Sequence, residues 1–544
     1  MTVELHIDGV VIDAAAGASV FDCAEQADIR VPTSCHKQGK CRECLVEITA
    51  GNEWLSDRTP EEEHLEADFR LSCRARIASD AGTIRCHTMR RGQIRIEEAG
   101  SSDGSTTLDP AVKRRNGVVL MDGTEVAAWD GPLHGIAADI GTTTVVMRLI
   151  DLESGRVVAS QSFENPQRFG GSDVMARIKY DSDHSGRLLQ RTLLGYMTHA
   201  IEDFGVDPSS IFEMVVAGNS TMRDLFFGLP VDSIGQRPYR SIVQHELLAG
   251  QRQTTSLTMP ARRLRLPMHT NGRVWGLPLV SGHVGADAAA CLLAAGIMEE
   301  ERIVALMDIG TNTEFFVGNR DRLFAASCPA GPAFEGGLIS CGMPGLEGAI
   351  ESVRLDDAGV SYRVIGNLPP QGVCGSGLVD LLSELLRVGS LDQLGRFTDG
   401  SHGFAVDAGH QISLTEPDIS NLAQAKAANV AGLRIVLQQA GVRLDQIEVF
   451  LFAGGFAKNL DLDAARRIGF IPDVPTEKIR RIGNAAIEGA TIALLNAAQR
   501  EPFENFVQRI EHVELETHES FFDHFVDGCH FTRVTDLEVA DGHA

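Results

Sequence analysis

Four cysteines near the start of the chain, Cys35, Cys41, Cys44 and Cys73, follow the spacing C-x5-C-x2-C-x28-C. Thiolates are soft metal ligands, and a binuclear iron centre needs two of them on each iron. One loop can supply three and a later strand the fourth, which is the plant-type [2Fe-2S] arrangement, C-x4-C-x2-C with a distant fourth cysteine. Gly39 and Lys40 inside the loop suit this use, because glycine takes positive φ and lets backbone N–H groups turn toward sulfur. Structural zinc is the alternative reading of four thiolates, but zinc ligands usually come as two close pairs. Cys23 falls in a helical stretch, where a small buried hydrophobe is expected. Cys86 is the thiol most easily mistaken for a ligand.

A second pattern is a strand that ends in Asp and turns through Gly and Thr. It occurs at 139–144 (Asp-Ile-Gly-Thr-Thr-Thr) and again at 308–313 (Asp-Ile-Gly-Thr-Asn-Thr), 308 − 139 = 169 residues later. Such a turn presents a carboxylate, hydroxyls and amides at one point, enough to cradle phosphate oxygens while the Asp holds hydrated Mg²⁺. Asp139 and Asp308 are the expected catalytic carboxylates, on opposite walls of a cleft that closes on a triphosphate. Gly141, Thr142, Thr143, Gly310, Thr311 and Asn312 are the expected phosphate contacts. The interval suggests two related lobes rather than a solenoid.

Other glycine-rich stretches fit the same reading. Gly375 and Gly377 precede an apolar helix start, and Gly454 and Gly455 follow the apolar strand 449–452. Both pairs would let a base or ribose approach the backbone, and a tight turn explains either as well. Glu335, in the loop 330–337, is a third catalytic candidate that would orient water or metal. Gly218-Asn219-Ser220-Thr221-Met222 opens a helix whose first turn either binds a group or is simply capped. Neither a dinucleotide fingerprint nor a Walker A loop occurs, and with seven lysines in all, phosphate contacts fall to backbone, Thr and metal.

The elements that carry these residues can be read from periodicity. Val3, Leu5 and Ile7 alternate with polar residues, and Asp8-Gly9 reads as a two-residue hairpin turn before Val10-Val11-Ile12. A short helix at 20–27, opened by Ser19 or Ala18, and strands at 45–48 and 74–77 complete a small domain. The small polar run 97–117 reads as a flexible tether. Beyond it, strands at 136–140, 214–217, 303–309 and 449–452 alternate with helices at 415–440, capped by Thr415 with Pro417 and Asp418 in its first turn, and at 485–497. The segment 500–544 reads as a last strand pair with a frayed tail. The expected domains are 1–96 (a small cysteine-rich domain), 97–132 (linker), 133–302 and 303–500 (two related lobes) and 501–544 (an extension packed on those lobes).

The chain has 544 residues, 43% hydrophobic and 23% charged, enough for three or four folding units with their own cores. Lys+Arg 49 against Asp+Glu 74 gives a net charge of −25, and the densest basic run is only Lys113-Arg114-Arg115, so a nucleic-acid partner is not expected. No signal-like start and no run of 18 apolar residues is present, so no membrane association is expected. Five of the eleven cysteines lie within residues 1–73, which points to a reducing, cytoplasmic setting with a metal site rather than disulfides.

The repeated turns, with Ala453-Gly454-Gly455-Phe456-Ala457-Lys458-Asn459 after a strand, resemble the acetate/sugar kinase–Hsp70–actin superfamily. Joined to an N-terminal ferredoxin-like domain, the chain resembles the ATP-dependent reductive activators of corrinoid proteins. The stretches 217–222, 281–287, 330–336 and 372–377 look like signatures of that family. The resemblance implies a β-grasp ferredoxin-like domain followed by a two-lobed actin/Hsp70-like ATPase, multidomain α/β and α+β. It implies a 2Fe-2S cluster, ATP and Mg²⁺ as cofactors. The partners it implies are a corrinoid protein, a low-potential donor such as ferredoxin or flavodoxin, and a second copy in a homodimer. Larger family members carry a further domain before the ATP module. Here Asp139 follows Gly117 by only 22 residues, so that domain is expected to be absent or much reduced.

By this resemblance the chain reduces cob(II)alamin to cob(I)alamin, with ATP hydrolysis as the driving force. A tethered cluster domain beside a nucleotide-dependent, bistable module makes physical sense of the pairing. Three rivals share the same residues: a small-molecule kinase, a nucleotide-binding redox sensor, and an activator of some other metalloenzyme.

Overall fold

The computed structural model describes residues 2–66, 68–89, 107–357, 359–455 and 459–535. They form two compact units, one drawing on Met1–Gln93, Thr106–Asp287 and Ala490–Glu504, the other on Ala288–Gly489 and Asn505–Ala544. No helix among the described residues is long and apolar enough to cross a membrane.

The first unit begins with a five-stranded mixed sheet in the order Val10–Ala14, Val3–Ile7, Thr83–Thr88, Leu45–Ala50, Phe69–Leu71. The Asp8-Gly9 turn has φ of 49° and 84°, the left-handed pair that a two-residue hairpin requires. The helix Val20–Gln26 is capped by Ser19, whose hydroxyl accepts from the Asp22 amide at 3.1 Å. Leu5, Ile7, Val46, Ile48 and Ile84 fill the space beneath the sheet, each contributing about 1.5–3 kcal/mol by burial. The strand expected at 74–77 is absent. Arg74 and Ala75 instead donate back to the Leu71 carbonyl in a turn, and only isolated bridges at Arg76 and Ile77 follow. The edge strand is Phe69–Leu71, which places Cys73 just past its end.

The linker expected over 97–132 also needs correction. Residues up to 106 lie outside the described set, but Val112–Arg115, Val118–Met121 and Thr124–Ala128 form a three-stranded antiparallel meander. Turns at Asn116-Gly117 (φ 55° and 75°) and Asp122-Gly123 (φ 49° and 78°) close it. The basic run that looked like tether is the first of these strands, and Val119 and Val112 are buried beneath it.

Two larger sheets carry the repeated turns, and each has the same five-strand core. In the first unit His134–Ile140 lies antiparallel to Thr144–Asp151, which pairs antiparallel with Val157–Glu164. On its other side His134–Ile140 runs parallel to Ile211–Gly218, and that strand parallel to Arg273–Gly276. In the second unit Val304–Ile309, Thr313–Gly318, Leu323–Cys328, Val449–Ala453 and Ile479–Gly483 take the corresponding places with the same directions. The repeated hexapeptide is therefore the outward mark of a repeated topology. Each Asp stands at the carboxyl end of a central strand, where open α/β sheets place their ligands.

In the first unit all eight residues of Ile211–Gly218 are buried. Glu213 among them is held by Arg500 at 2.9 and 3.0 Å and by Arg273 at 2.7 Å, a compensated charge that ties Arg500 to the sheet. In the second unit Glu416–Ala440 forms the long helix, with Thr415 and Asp418 in a reciprocal capping box. The segment after 500 is mainly helical (Arg500–Val507 and Phe521–Gly528, with Glu511–His512 as its one strand) rather than a strand pair. Phe503, Phe506 and Val507 recur at helical spacing and are buried, which is the periodicity that decides it. The tail 536–544 lies outside the described residues.

Lys426 on the long helix is 1% exposed; its ammonium donates to the His530 carbonyl at 2.7 Å and lies over the Phe531 ring. Burial pulls it down to about 7, whereas an unfolded lysine keeps its proton to about 10.4. Between those values the unfolded chain binds more protons than the folded one, so stability rises with pH, by up to about 1.4 kcal/mol per unit; below 7 both forms are protonated, the slope vanishes and the cost of the buried charge is at its full size. Lys426→Met is expected to flatten the rise in unfolding temperature between pH 7 and 9. An unchanged slope in the variant would show that the lysine is charged as usual.

Candidate functional sites: a thiol cluster and two Asp-Gly-Thr turns

The cysteine loop gathers its thiols in pairs. Cys44 and Cys73 are buried with sulfurs 3.3 Å apart, and the half-buried Cys35 and Cys41 hydrogen-bond to each other. Amides point at the sulfurs, from Gln38, Lys40 and Cys41 to Cys35, from Ser34 and Glu43 to Cys41, and from Gly39 to Cys73. The loop achieves this with four left-handed residues, His36, Lys37, Gly39 and Arg42. Gly39 takes φ 73°, and a Cβ there would also press on the Arg74 guanidinium at 2.6 Å, so the backbone conformation is what favours glycine. Burial works against ionisation of Cys35, yet the amides bring its thiol to about 7. The Cys44–Cys73 hydrogen bond raises Cys44 and lowers Cys73. A donor set of four sulfurs, grouped two and two and ringed by N–H groups, fits a binuclear iron–sulfur cluster, with Cys35, Cys41, Cys44 and Cys73 as its ligands. Cys86 lies in the strand Thr83–Thr88, where burial pushes its thiol up to about 12, and Cys23 is buried near it.

In the first turn Gly141 donates to the Thr144 carbonyl at 3.0 Å, an approach that a Cβ on Gly141 would obstruct at 2.7 Å. The turn's own carbonyls are tied back. Asn165 Nδ2 donates to Gly141 O at 2.8 Å, the Asn165 amide to Thr143 O at 2.7 Å, and Arg177 Nη2 to Thr142 O at 2.7 Å. Asn219 Nδ2 reaches the Thr142 hydroxyl at 3.0 Å while its Oδ1 caps the helix Ser220–Phe227. These bonds satisfy the carbonyls of Gly141, Thr142 and Thr143 from one side. Arg177 is fully buried, and its other hydrogen bonds go to the Gly171 carbonyl and the Met222 sulfur. Burial lowers it to about 9, and the charge it keeps lies directly behind the turn.

The second turn is built alike. Gly310 donates to the Asn312 carbonyl at 3.0 Å, and Gly331 donates to Thr311 O at 2.9 Å. The Thr311 hydroxyl donates to Glu335, which ends the short 3₁₀ helix Ala333–Glu335, and the Cys291 thiol donates to Asp308 Oδ2 at 2.8 Å. Burial pushes both carboxyls, Asp308 and Glu335, above the ordinary carboxylate range. Gly454 backs this turn: at φ 114° its missing Cβ would stand 2.3 Å from Ile309 O, while Gly455 beside it faces open space. Residues 456–458 of that stretch lie outside the described set.

Asp139, Gly141, Thr142 and Thr143 thus form one group, and Asp308, Gly310, Thr311, Asn312, Glu335, Gly454 and Gly455 another. Gly375 and Gly377 begin the helix Gly375–Arg387, and a Cβ on Gly377 would meet Ile350 O at 2.3 Å. Close packing of helix on strand accounts for that glycine. Asn165, Arg177 and Cys291 are neighbours of the candidate sites that motif reading passed over, and Asn219 lies in the stretch 218–222 noted for its helix start. Glu47, His87 and Glu164 also converge at ligand distance, but Arg168 bridges both carboxylates, so the group is an ion-pair junction.

Fold and site together define an iron–sulfur domain joined to an ATPase of the ASKHA type. Residues 3–78 match the 2Fe-2S iron-sulfur cluster binding domain, 134–300 the RACo middle region and 302–540 the C-terminal ASKHA domain of RACo. The chain belongs to the RACo family, the group of corrinoid activators that its sequence resembles. It is 32% identical over 426 residues to the corrinoid activation enzyme RamQ of Eubacterium limosum, covering 73% of this chain and 70% of that one. The [Co(II) methylated amine-specific corrinoid protein] reductase of Methanosarcina barkeri is 24% identical over 439 residues (75% and 79%). A solved structure, titled a reductive activator for corrinoid, iron-sulfur protein, superposes with a TM-score of 0.71 at 28% identity, covering 99% of this chain and 100% of that one.

Proposed function

We infer that this chain is an ATP-hydrolysing reductive activator of a corrinoid protein, returning cobalt from cob(II)alamin to cob(I)alamin by one electron. The observation that carries this is the presence in one chain of a two-and-two thiol site and two Asp-Gly-Thr turns of the same topology. When bound, a 2Fe-2S cluster supplies a one-electron carrier. Cys35, Cys41, Cys44 and Cys73 would hold it, and the amides around them favour the added negative charge. Asp139 and Asp308 would hold hydrated Mg²⁺ with ATP, Thr142, Thr143, Thr311 and Asn312 its phosphates, at turns that Gly141 and Gly310 close, and Gly454 and Gly455 the nucleoside. Glu335, held by Thr311, would orient the attacking water. The electron would come from a low-potential ferredoxin or flavodoxin in the cytoplasm, with the chain working as a homodimer.

The test uses the reduced, cluster-loaded protein and a corrinoid protein poised as cob(II)alamin. The cob(II)alamin absorbance is expected to fall with MgATP and to persist without it. Phosphorylation of a sugar or short acid in the absence of the corrinoid protein would overturn the assignment.

A further inference from the structure

The segment that ties back the first phosphate turn also reaches the cluster domain, which is docked within the same compact unit. Asn165 holds the carbonyls of Gly141 and Thr143, and the 3₁₀ helix Pro166–Gly170 follows at once. Arg168 on that helix pairs with Glu47 at 3.1 Å, and His87 meets the same carboxylate at 2.8 Å; Glu47 and His87 lie on central strands of the cluster domain's sheet. Phe169 stands edge-on to His64 at 5.8 Å. Arg177 spans from the Gly171 carbonyl to that of Thr142, and three residues along the same helix Tyr180 donates to the His64 carbonyl at 2.5 Å. Two short paths, one through Asn165 and Arg168 and one through Arg177 and Tyr180, therefore join the turn to the far side of the domain interface.

We propose that residues 165–180 act as a positioning element that couples nucleotide at the first turn to the docking of the cluster domain, with Arg168 and Tyr180 as its contacts on that domain. This rests on the nucleotide reading of the turn given above. Anything that shifts the Thr142 or Thr143 carbonyls must shift Asn165 or Arg177, each buried and close-packed, and packed elements change arrangement as units. Linkage makes the effect reciprocal: if nucleotide alters docking by some factor, loosening the dock alters nucleotide affinity by up to that factor.

The experiment is hydrogen exchange on the full-length, cluster-loaded chain with and without the magnesium complex of AMPPNP, with affinity measured calorimetrically. The analogue is expected to change exchange in the strands 45–50 and 83–88 by about threefold or more, and to leave the meander 112–128 unchanged. Arg168→Met and Tyr180→Phe, which touch neither turn nor thiols, should retain binding but lose most of that response, and Arg168→Lys should recover part of it. If the analogue binds and these strands do not respond, or if both variants respond as fully as the parent, the coupling is overturned and the ATP site stands. If the parent binds no analogue, the nucleotide reading falls and the coupling with it.

Discussion

Asp308→Asn is expected to lower ATP-supported cobalt reduction by about 10²–10³-fold, the usual effect of removing one preorganised electrostatic group from a site of charge transfer. The substitution is nearly isosteric, and the Asn carbonyl can still accept from the Cys291 thiol, so the turn should keep its shape. What is lost is the negative charge on which hydrated Mg²⁺ would depend. Burial already holds the Asp308 carboxyl above its ordinary range, so an ion there must recover the cost of ionising it, and an amide offers no such recovery. The check is stopped-flow absorbance of the corrinoid partner, with iron content and visible cluster bands measured on the same sample. Iron and bands should be unchanged. A rate within about threefold of the parent would remove Asp308 from the mechanism.

The second large effect concerns the thiols. Cys44→Ser is expected to abolish both the bound iron and electron transfer, because Cys44 is fully buried beside Cys73 and water cannot substitute as a ligand there. Cys86→Ser makes the comparison informative. It buries a hydroxyl in the core of the same sheet, costing about 1–3 kcal/mol of domain stability, yet it should leave the iron content and the ATP-dependent rate in place. Two irons per chain in Cys86→Ser and none in Cys44→Ser is the expected pair of results. Loss of iron in both would return Cys86 to the ligand set.

Where chemistry depends on neighbours along the chain, the sequence was legible. The cysteine spacing and the twin hexapeptides pointed to the two candidate sites, because a cysteine-rich loop and a turn that closes a strand are local objects. Thr415 with Asp418 and Asp8-Gly9 were readable for the same reason. Arg177 was not: it lies mid-helix with no motif around it, and only the fold brings it behind a turn 35 residues earlier. Asn219 sat inside a stretch that attracted notice, but its hydroxyl neighbours Ser220 and Thr221 drew the attention, and both are buried in the helix start. Two strands of the first sheet misled most. The edge strand Phe69–Leu71 is three residues long, and the central strand Thr83–Thr88 has polar residues at alternate positions. In the final segment, aromatic richness suggested strands although the spacing of Phe503 and Phe506 was helical.

The matching sheets also show where each copy became individual. The crossover between the third antiparallel strand and the first parallel one differs most in length between the copies. It runs from 165 to 210 in one copy, 46 residues, and from 329 to 448 in the other, 120 residues. The shorter excursion supplies the backing for its own turn and a seat for the redox module. The longer supplies Glu335, a separate β-layer and the longest helix in the chain. A repeated frame that keeps its Asp-Gly-Thr corner constant while diverging in its crossovers can serve a new client without disturbing that corner. Swapping or trimming these two inserts, rather than the strands, is the rational route to altering what this ATPase serves.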